Sequence, residues 1–136
     1  MSTIVLDASA AVRVVVGPTP VGIAAALESA DGVIAPSLFA EEVSNALWKY
    51  VHAGVFDPPE AIVRARTALS LCDSLLPTGN DESFLVEALN EACRLDHPVY
   101  DLVYLVAARR NAATLATCDT RLSALASSQG VPVITS

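Results

Sequence analysis

Residues 3–13 have the sequence TIVLDASAAVR, and this stretch carries the first signal of the fold. The β-branched and apolar run Thr3–Leu6 predicts a short strand, and the helix-prone residues 8–13 predict a helix directly behind it. Asp7 stands between the two segments. We therefore expect a strand, an acidic residue and a helix in immediate succession.

Similar units follow along the chain. Further strands are predicted at 33–35, 75–77, 114–117 and 131–135, with 75–77 as a short edge strand. Helices are predicted at 21–30, from 36 to about 53, from 57 to about 74, and at 80–95, 99–111 and 121–128. Short strands that alternate with helices are typical of a parallel sheet covered on both faces, so the sequence predicts an α/β fold.

Length and composition limit the class of protein. The chain has 136 residues, of which 53% are hydrophobic and 17% are charged, and this predicts a single domain over residues 1–136.

No apolar stretch reaches the ~18 residues of a spanning helix, and the N-terminus lacks the basic region of a signal peptide. Three cysteines without a CxxC pair predict neither a disulfide framework nor a zinc site, and His52 and His97 are expected to be isolated surface or capping residues. We expect a cytoplasmic protein without a membrane partner.

The charge balance is acidic, with a formal net charge of -7. Such a balance argues against a broad nucleic-acid interface, because phosphate binding depends on Lys and Arg. The chain has one Lys and seven Arg, of which Arg13, Lys49, Arg109, Arg110 and Arg121 are the candidate phosphate contacts. A nucleic-acid site in this chain must therefore be local and assisted by a metal ion.

Asp7 and Asp119 lie at or just beyond the ends of predicted strands. Ligands of open α/β sheets gather beyond the carboxyl ends of the strands, which makes these two acids candidate site residues. Each could instead be the N-cap of the helix that follows it, because aspartate is a preferred capping residue. The sequence leaves both interpretations open.

Two further acids lie on predicted helices. Asp101 interrupts an apolar run at 99–108, and a partly buried carboxylate in such a run needs a partner. The alternative interpretation is an acid in the first turn of the helix, where the helix dipole favours a negative charge. Glu42 falls at the edge of the buried face of its helix, whereas Glu41 falls nearly opposite that face. Glu42 aligns with Asn45 and Lys49 along a polar seam, and a solvated helix acid is the alternative for it.

Convergence of Asp7, Glu42, Asp101 and Asp119 would create repulsion that requires a counter-charge. A divalent cation supplies that charge, and ligands that are all oxygen select Mg²⁺ or Mn²⁺ over Zn²⁺. A carboxylate-held metal that keeps several waters suits phosphodiester hydrolysis, because it activates water and neutralises charge on the phosphate.

Four segments share their sequence context with one family: IVLDASA at 4–10, APSLFAEEVSNAL at 35–47, YDLVYLVA at 100–107 and LATCDTRL at 115–122. Together, and in this order, they resemble the PIN-domain ribonucleases, and more narrowly the VapC-type toxins of bacterial toxin–antitoxin pairs. The resemblance extends over nearly the whole chain. It implies a three-layer α/β/α sandwich with a short parallel sheet, and a pocket that binds Mg²⁺ or Mn²⁺ for endonucleolytic cleavage of RNA.

The resemblance also implies roles for individual residues. Asp7, Glu42, Asp101 and Asp119 match the four catalytic acids of the family. Three of them, Asp7, Asp101 and Asp119, are the implied metal ligands, directly or through water. Glu42 is implied to orient the attacking water or a second metal.

Partners are implied in the same way. PIN-domain toxins usually form homodimers, and a small VapB-like antitoxin binds the helices near the pocket and inhibits cleavage. Thr117 matches the Ser/Thr that often accompanies the last acid, and Asn45 matches the polar companion of the second acid.

Other classes of protein fit the residues less well. A phospho-accepting receiver domain needs paired acids after the first strand and a late Lys, but Asp7 is alone there and no Lys follows Lys49. An aspartyl-phosphate phosphatase needs Asp-x-Asp, where this chain has Asp-Ala-Ser at 7–9. A catalytically weak PIN-like module that acts by binding a protein partner stays open as the alternative, and metal-dependent RNA cleavage discriminates between the two functions.

Overall fold

The computed structural model describes residues 2–136. The strands in this range are β1 (Thr3–Leu6), β2 (Gly32–Pro36), β3 (Ser74–Leu76), β4 (Thr114–Ala116) and β5 (Val133–Ile134). The α-helices are α1 (Ala8–Val16), α2 (Val21–Ser29), α3 (Leu38–His52), α4 (Pro58–Ser70), α5 (Glu82–Leu95), α6 (Val99–Arg110) and α7 (Thr120–Ser128). All strand pairs are parallel, in the order β3-β2-β1-β4-β5.

The sheet separates two apolar layers. Ile4 and Leu6 of β1 pack into the layer formed with α1 to α4, whereas Val5 packs into the layer formed with α5 to α7. This alternation follows from the two-residue period of a strand, and it explains why strands covered on both faces are almost entirely apolar. The predicted α/β/α sandwich with a short parallel sheet is confirmed.

Strand order places the switch of chain direction at the centre of the sheet. From β1 the chain adds β2 and β3 on one side, and then β4 and β5 on the other. Leu6 pairs with Ala116, and the Asp7 amide donates to the Ala116 carbonyl at 3.1 Å. Open α/β sheets form a crevice at such a point, beyond the carboxyl ends of the strands.

Local capping accounts for several helix limits. Asp57 accepts from the Glu60 amide at 3.0 Å, and Pro58 occupies the first turn of α4, as the sequence predicts. The end of α3 is followed by Gly54 with a φ of 77°, a conformation in which a side chain is strained.

The predicted end of α4 at Ser74 is wrong, because the helix ends at Ser70. Asp73 already belongs to the edge of the sheet: its amide donates to the Val33 carbonyl at 2.7 Å, and its carboxylate accepts from the Val33 amide at 2.8 Å. Both contacts pull the chain out of the helix and align Ser74 with Ile34 at the start of β3. The strand at this edge is the one that the sequence predicts.

Other element boundaries also differ from the prediction, and two of them have clear local causes. The helix expected from Asn80 begins at Glu82, because Asp81 caps it by accepting from the Phe84 amide at 3.1 Å. Strand β5 is shorter than the predicted 131–135, because the Val131 amide donates to the Ala126 carbonyl at the end of α7.

Within residues 2–136, no single helix has the length and apolar composition needed to cross a membrane; α1 and α2 meet that criterion only as a pair bent by 104°.

Candidate active site

Asp7 occupies the turn from β1 to α1 and is only 4% exposed. Its carboxylate caps α1 by accepting from the Ala10 amide at 2.9 Å. The Ser9 hydroxyl donates to the same group at 2.7 Å, and the Thr117 hydroxyl donates to Oδ2 at 2.5 Å. The capping role expected from the sequence is therefore present, and it coexists with a buried carboxylate at the switch point.

The surroundings of Asp7 disfavour its charged form. Burial raises the pKa of this carboxyl to about 6, although the hydrogen bonds from Thr117, Ala10 and Ser9 act in the opposite direction. The charge of Asp119 adds to the increase. A cation placed beside Asp7 would relieve this unfavourable charge.

Two hydroxyls connect the ends of β1 and β4. Thr117 is fully buried, and its Oγ1 accepts from the Asp119 amide at 2.9 Å while it donates to Asp7. Ser9 donates to Asp7, and its Oγ accepts from the Cys118 amide at 2.9 Å. The carboxylate after one strand is thus held by the backbone that follows the other strand.

Asp119 lies half-buried between β4 and α7. Its Oδ1 caps α7 by accepting from the amides of Arg121 at 2.9 Å and Leu122 at 3.2 Å. Its Oδ2 accepts no hydrogen bond from residues 2–136, so this oxygen remains available to an external ligand.

Asp101 lies in the first turn of α6 and is 7% exposed. The guanidinium Nε of Arg121 approaches its Oδ2 to 3.0 Å, and His97 Nδ1 lies 3.9 Å from the same oxygen. Neither contact has hydrogen-bond geometry, so among residues 2–136 both Asp101 Oδ2 and His97 Nδ1 are buried without a hydrogen-bond partner. Burial raises the pKa of Asp101, and the charge of Arg121 opposes that increase.

Glu42 lies half-buried on α3, whereas Glu41 is exposed, which agrees with the predicted difference between them. The buried Tyr104 hydroxyl donates to Glu42 Oε1 at 2.6 Å. Burial raises the pKa of Glu42, and the charges of Asp101 and Asp119 raise it further. The same burial raises the pKa of the Tyr104 hydroxyl, so Tyr104 stays protonated as a donor.

The four predicted acids share one electrostatic environment. Asp7 follows β1 and Asp119 follows β4, and the charge of Asp119 raises the pKa of Asp7, Glu42 and Asp101, so the four side chains lie near enough to interact electrostatically. Within residues 2–136, however, no three Asp, Glu, His or Cys side chains form a group that could hold an ion as they stand.

The donor set nevertheless fits a hard cation. All candidate ligands are carboxylates, which are the ligands that Mg²⁺ and Mn²⁺ prefer, and Mg²⁺ usually keeps several waters rather than a full protein cage. The Asp119 Oδ2 atom, which accepts no hydrogen bond from residues 2–136, is an oxygen that such an ion could use, whereas Asp101 Oδ2 is ion-paired with Arg121 at 3.0 Å.

A cleft of about 530 Å³ has Glu42 in its wall, together with Ala8 and Cys118, which are the neighbours in sequence of Asp7 and Asp119. It lies between α1 and α3, and its lining includes Ser9, Arg13, Glu42, Asn45, Lys49, Tyr50 and Cys118. Arg13 and Lys49, two of the predicted phosphate contacts, therefore lie beside the candidate site.

Arg109 and Arg110 do not lie there. Arg110 is nine residues beyond Asp101 on α6, which corresponds to about 14 Å along the helix axis. Both arginines are ion-paired with α5 or the turn before it: Arg109 with Glu91 at 3.2 Å, and Arg110 with Glu87 at 3.2 Å. Their predicted contribution to a phosphate site is not supported.

Three side chains of the site were not identified as contributors from the sequence. His97 is not isolated, because it faces Asp101 across the first turn of α6. Ser9 and Tyr104 stand in the segments at 4–10 and 100–107, two and three residues from the acids that point to the site. Proximity in sequence to those acids was the available signal for both.

Solved structures share this fold at low sequence identity. The crystal structure of PAE2754 from Pyrobaculum aerophilum has a TM-score of 0.73 and 22% identity, and the match covers 97% of this chain and 89% of that chain. The crystal structure of FitAcB from Neisseria gonorrhoeae has a TM-score of 0.65 and 19% identity, covering 97% of this chain and 96% of that chain. No curated protein matches the sequence significantly. The model of the PIN domain matches residues 4–128, and the chain therefore belongs to the PIN domain family.

Proposed function

We propose that this protein is a Mg²⁺- or Mn²⁺-dependent endoribonuclease with Asp7, Glu42, Asp101 and Asp119 as its catalytic acids. PIN domains are generally nucleases, so membership of the family supports hydrolysis of nucleic acid. The observation that carries the proposal is the buried Asp7 at the switch point, which Thr117 joins to the Asp119 amide at 2.9 Å, while the charge of Asp119 adds to the raised pKa of Asp7, Glu42 and Asp101. Such an arrangement disfavours its own charges unless a cation is present.

The proposed roles follow from how each side chain is held. Asp7, Asp101 and Asp119 would hold the metal, directly or through water. A bound divalent ion supplies an activated water and neutralises charge on the phosphate. Because the Tyr104 hydroxyl occupies Glu42 Oε1, the Oε2 atom of Glu42 can accept a proton from the attacking water, or orient that water or a second metal.

The resemblance to VapC-type toxins extends the proposal to partners. We propose that the single domain of residues 1–136 acts in the cytoplasm as a homodimer, and that a VapB-like antitoxin inhibits it. Exposed apolar side chains support a protein partner: Trp48 and Ile62 line a groove of about 280 Å³ between α3 and α4, and Leu85 and Leu89 are exposed on α5.

The test is cleavage of RNA by the purified, antitoxin-free protein with Mg²⁺ or Mn²⁺. We expect EDTA, and separately the substitution Asp7→Asn, to lower the rate at least about 100-fold, the scale expected for loss of an electrostatic catalytic element. Asp57→Asn is the matched control, because Asp57 caps α4 as Asp7 caps α1, but Asp57 is exposed and is not one of the four candidate catalytic acids.

The alternative function has a distinct outcome. If the wild-type protein and Asp7→Asn are equally inert, and calorimetry detects no divalent ion bound to either, then the nuclease proposal fails. The chain would then be a PIN-fold module that acts by binding a partner.

A further inference from the structure

The basic side chains divide into two groups by their partners. Five of the eight are within ion-pair distance of a carboxylate, at 3.0 Å for Arg64 and Glu60, and at 3.0 Å for Arg121 and Asp101. The other paired ones are Arg94, Arg109 and Arg110. In the part of the chain that the structure describes, the three without a carboxylate partner are Arg13, Lys49 and Arg66.

Two of these three line the same cleft. Arg13 of α1 and Lys49 of α3 both border the space of about 530 Å³ that Glu42 and Ser9 share with the candidate site. Among residues 2–136 the one hydrogen bond of the Arg13 side chain is a contact of 3.4 Å with the Pro18 carbonyl, and Lys49 makes none. Arg66 does not line this cleft.

This placement is unusual for a chain with a net charge of -7. Acids outnumber bases, 15 to 8, yet these two bases are left without a carboxylate beside a cluster of acids. The guanidinium of Arg presents a fork of donors that matches phosphate oxygens, and the Lys ammonium binds phosphate as a point charge. Two such groups facing one cavity suit the phosphodiester backbone of a nucleic acid.

We propose that Arg13 and Lys49 form a phosphate-binding subsite that holds the RNA backbone beside the phosphodiester to be cleaved. The inference rests on the proposed function, because it takes the neighbouring acids as the cleavage site. It places the substrate path across the cleft between α1 and α3. It also separates these residues from Arg121, which lies against Asp101, and from the arginines at the far end of α6.

The experiment compares two double variants that each remove two positive charges. Arg13→Gln/Lys49→Gln changes the cleft, whereas Arg66→Gln/Arg94→Gln changes α4 and α5. A fluorescent single-stranded RNA is used for steady-state cleavage with Mg²⁺, and for anisotropy in EDTA, where cleavage is blocked. We expect the cleft variant to raise KM and Kd at least about tenfold with kcat within about threefold, and the salt dependence of log Kd to fall by about 1.4, since each phosphate contact on a single strand contributes about 0.7.

The cysteines report where the RNA lies, independently of activity. Cys118 lines the cleft, whereas Cys93 is exposed on α5. We expect the RNA to slow alkylation of Cys118 but not of Cys93, and we expect this protection to disappear in the cleft variant. Protection of Cys118 by the same concentration of inorganic phosphate alone would identify a free-anion site and overturn the assignment to RNA.

Failure of this inference differs from failure of the proposed function. If the wild-type protein cleaves RNA and the cleft variant has unchanged KM, Kd and protection, the subsite is refuted while the nuclease stands. If the wild-type protein binds RNA through Arg13 and Lys49 but does not cleave it, the subsite is supported as a nucleic-acid site and the nuclease is refuted.

Discussion

The ends of β1 and β4 follow the same local plan but place their acids in different surroundings. Asp7 and Asp119 each stand between a strand and a helix, and each caps that helix. Asp7 is 4% exposed and is held by three groups, whereas Asp119 is half-buried and has one oxygen without a hydrogen bond from residues 2–136. The difference shows that the shared strand–acid–helix motif sets the position of each carboxylate. The residues around it set how deeply the carboxylate is buried and how many donors it accepts from.

Replacing each acid by its amide gives the largest expected effect. Asparagine caps helices about as well as aspartate, so Asp7→Asn and Asp119→Asn remove charge without removing a cap. We expect Asp7→Asn to lower RNA cleavage by about 10²- to 10³-fold, and Asp119→Asn to lower it less, because fewer contacts fix that carboxylate. Single-turnover rates with Mg²⁺ measure both, and a larger loss for Asp119→Asn would reverse the comparison.

In the metal-free protein, the pH dependence of the free energy of unfolding should report the free-energy cost of burying the Asp7 charge. Its pKa is about 6 in the folded protein against an ordinary value of 3.8, so between these values the folded state binds more protons than the unfolded state. The free energy of unfolding in EDTA should therefore fall as pH rises from about 4 to about 6, by about 3 kcal/mol in total. Urea unfolding at several pH values measures it. Asp7→Asn should remove the part of this decrease that Asp7 contributes and leave the part from Glu42 and Asp101, whose pKa is also raised; an equal pH dependence in both proteins would show that the decrease does not come from the burial of Asp7.

The sequence predicted the strand, acid and helix units, because each is encoded within about ten residues. It did not predict the order of the strands, which depends on long-range packing. That order places β4 beside β1, and thereby brings Thr117 to Asp7 across 110 positions of sequence.

The contact of Tyr104 with Glu42 was hidden for a different reason. Nearly all of α6 is buried, from Asp101 through Ala108, so its sequence has no polar face from which the orientation of a side chain could be predicted. Because α6 has no distinct polar face, the sequence also left open whether Arg110 points to the site. Its partners are Glu87 on α5 and Asp81 in the turn before α5.

Thr117→Val tests the link between the two strand ends. The substitution keeps the shape of a fully buried side chain but leaves the Asp119 amide without its acceptor and removes one of the three donors to Asp7. We expect a loss of about 1–3 kcal/mol in the free energy of unfolding, the cost of unsatisfied buried polar groups. Thr67→Val is the control, because that hydroxyl is exposed on α4, and its change should stay within about 0.5 kcal/mol. Equal losses in the two variants would show that the link contributes little.

Ser9→Ala should have the smallest effect on the free energy of unfolding. It also gives the sharpest test of whether the ends of β1 and β4 are stabilised as one unit. Ser9 is only half-buried, so water can replace its hydroxyl at Asp7 and at the Cys118 amide, and we expect a loss of about 1 kcal/mol. Because Ser9 and Thr117 both donate to Asp7 and their hydroxyl oxygens lie 3.3 Å apart, their losses should not add in the double variant. A coupling energy of at least about 0.5 kcal/mol is expected from urea unfolding of the four proteins in the cycle. Strict additivity would mean that the Ser9 and Thr117 hydroxyls stabilise the two strand ends independently of each other.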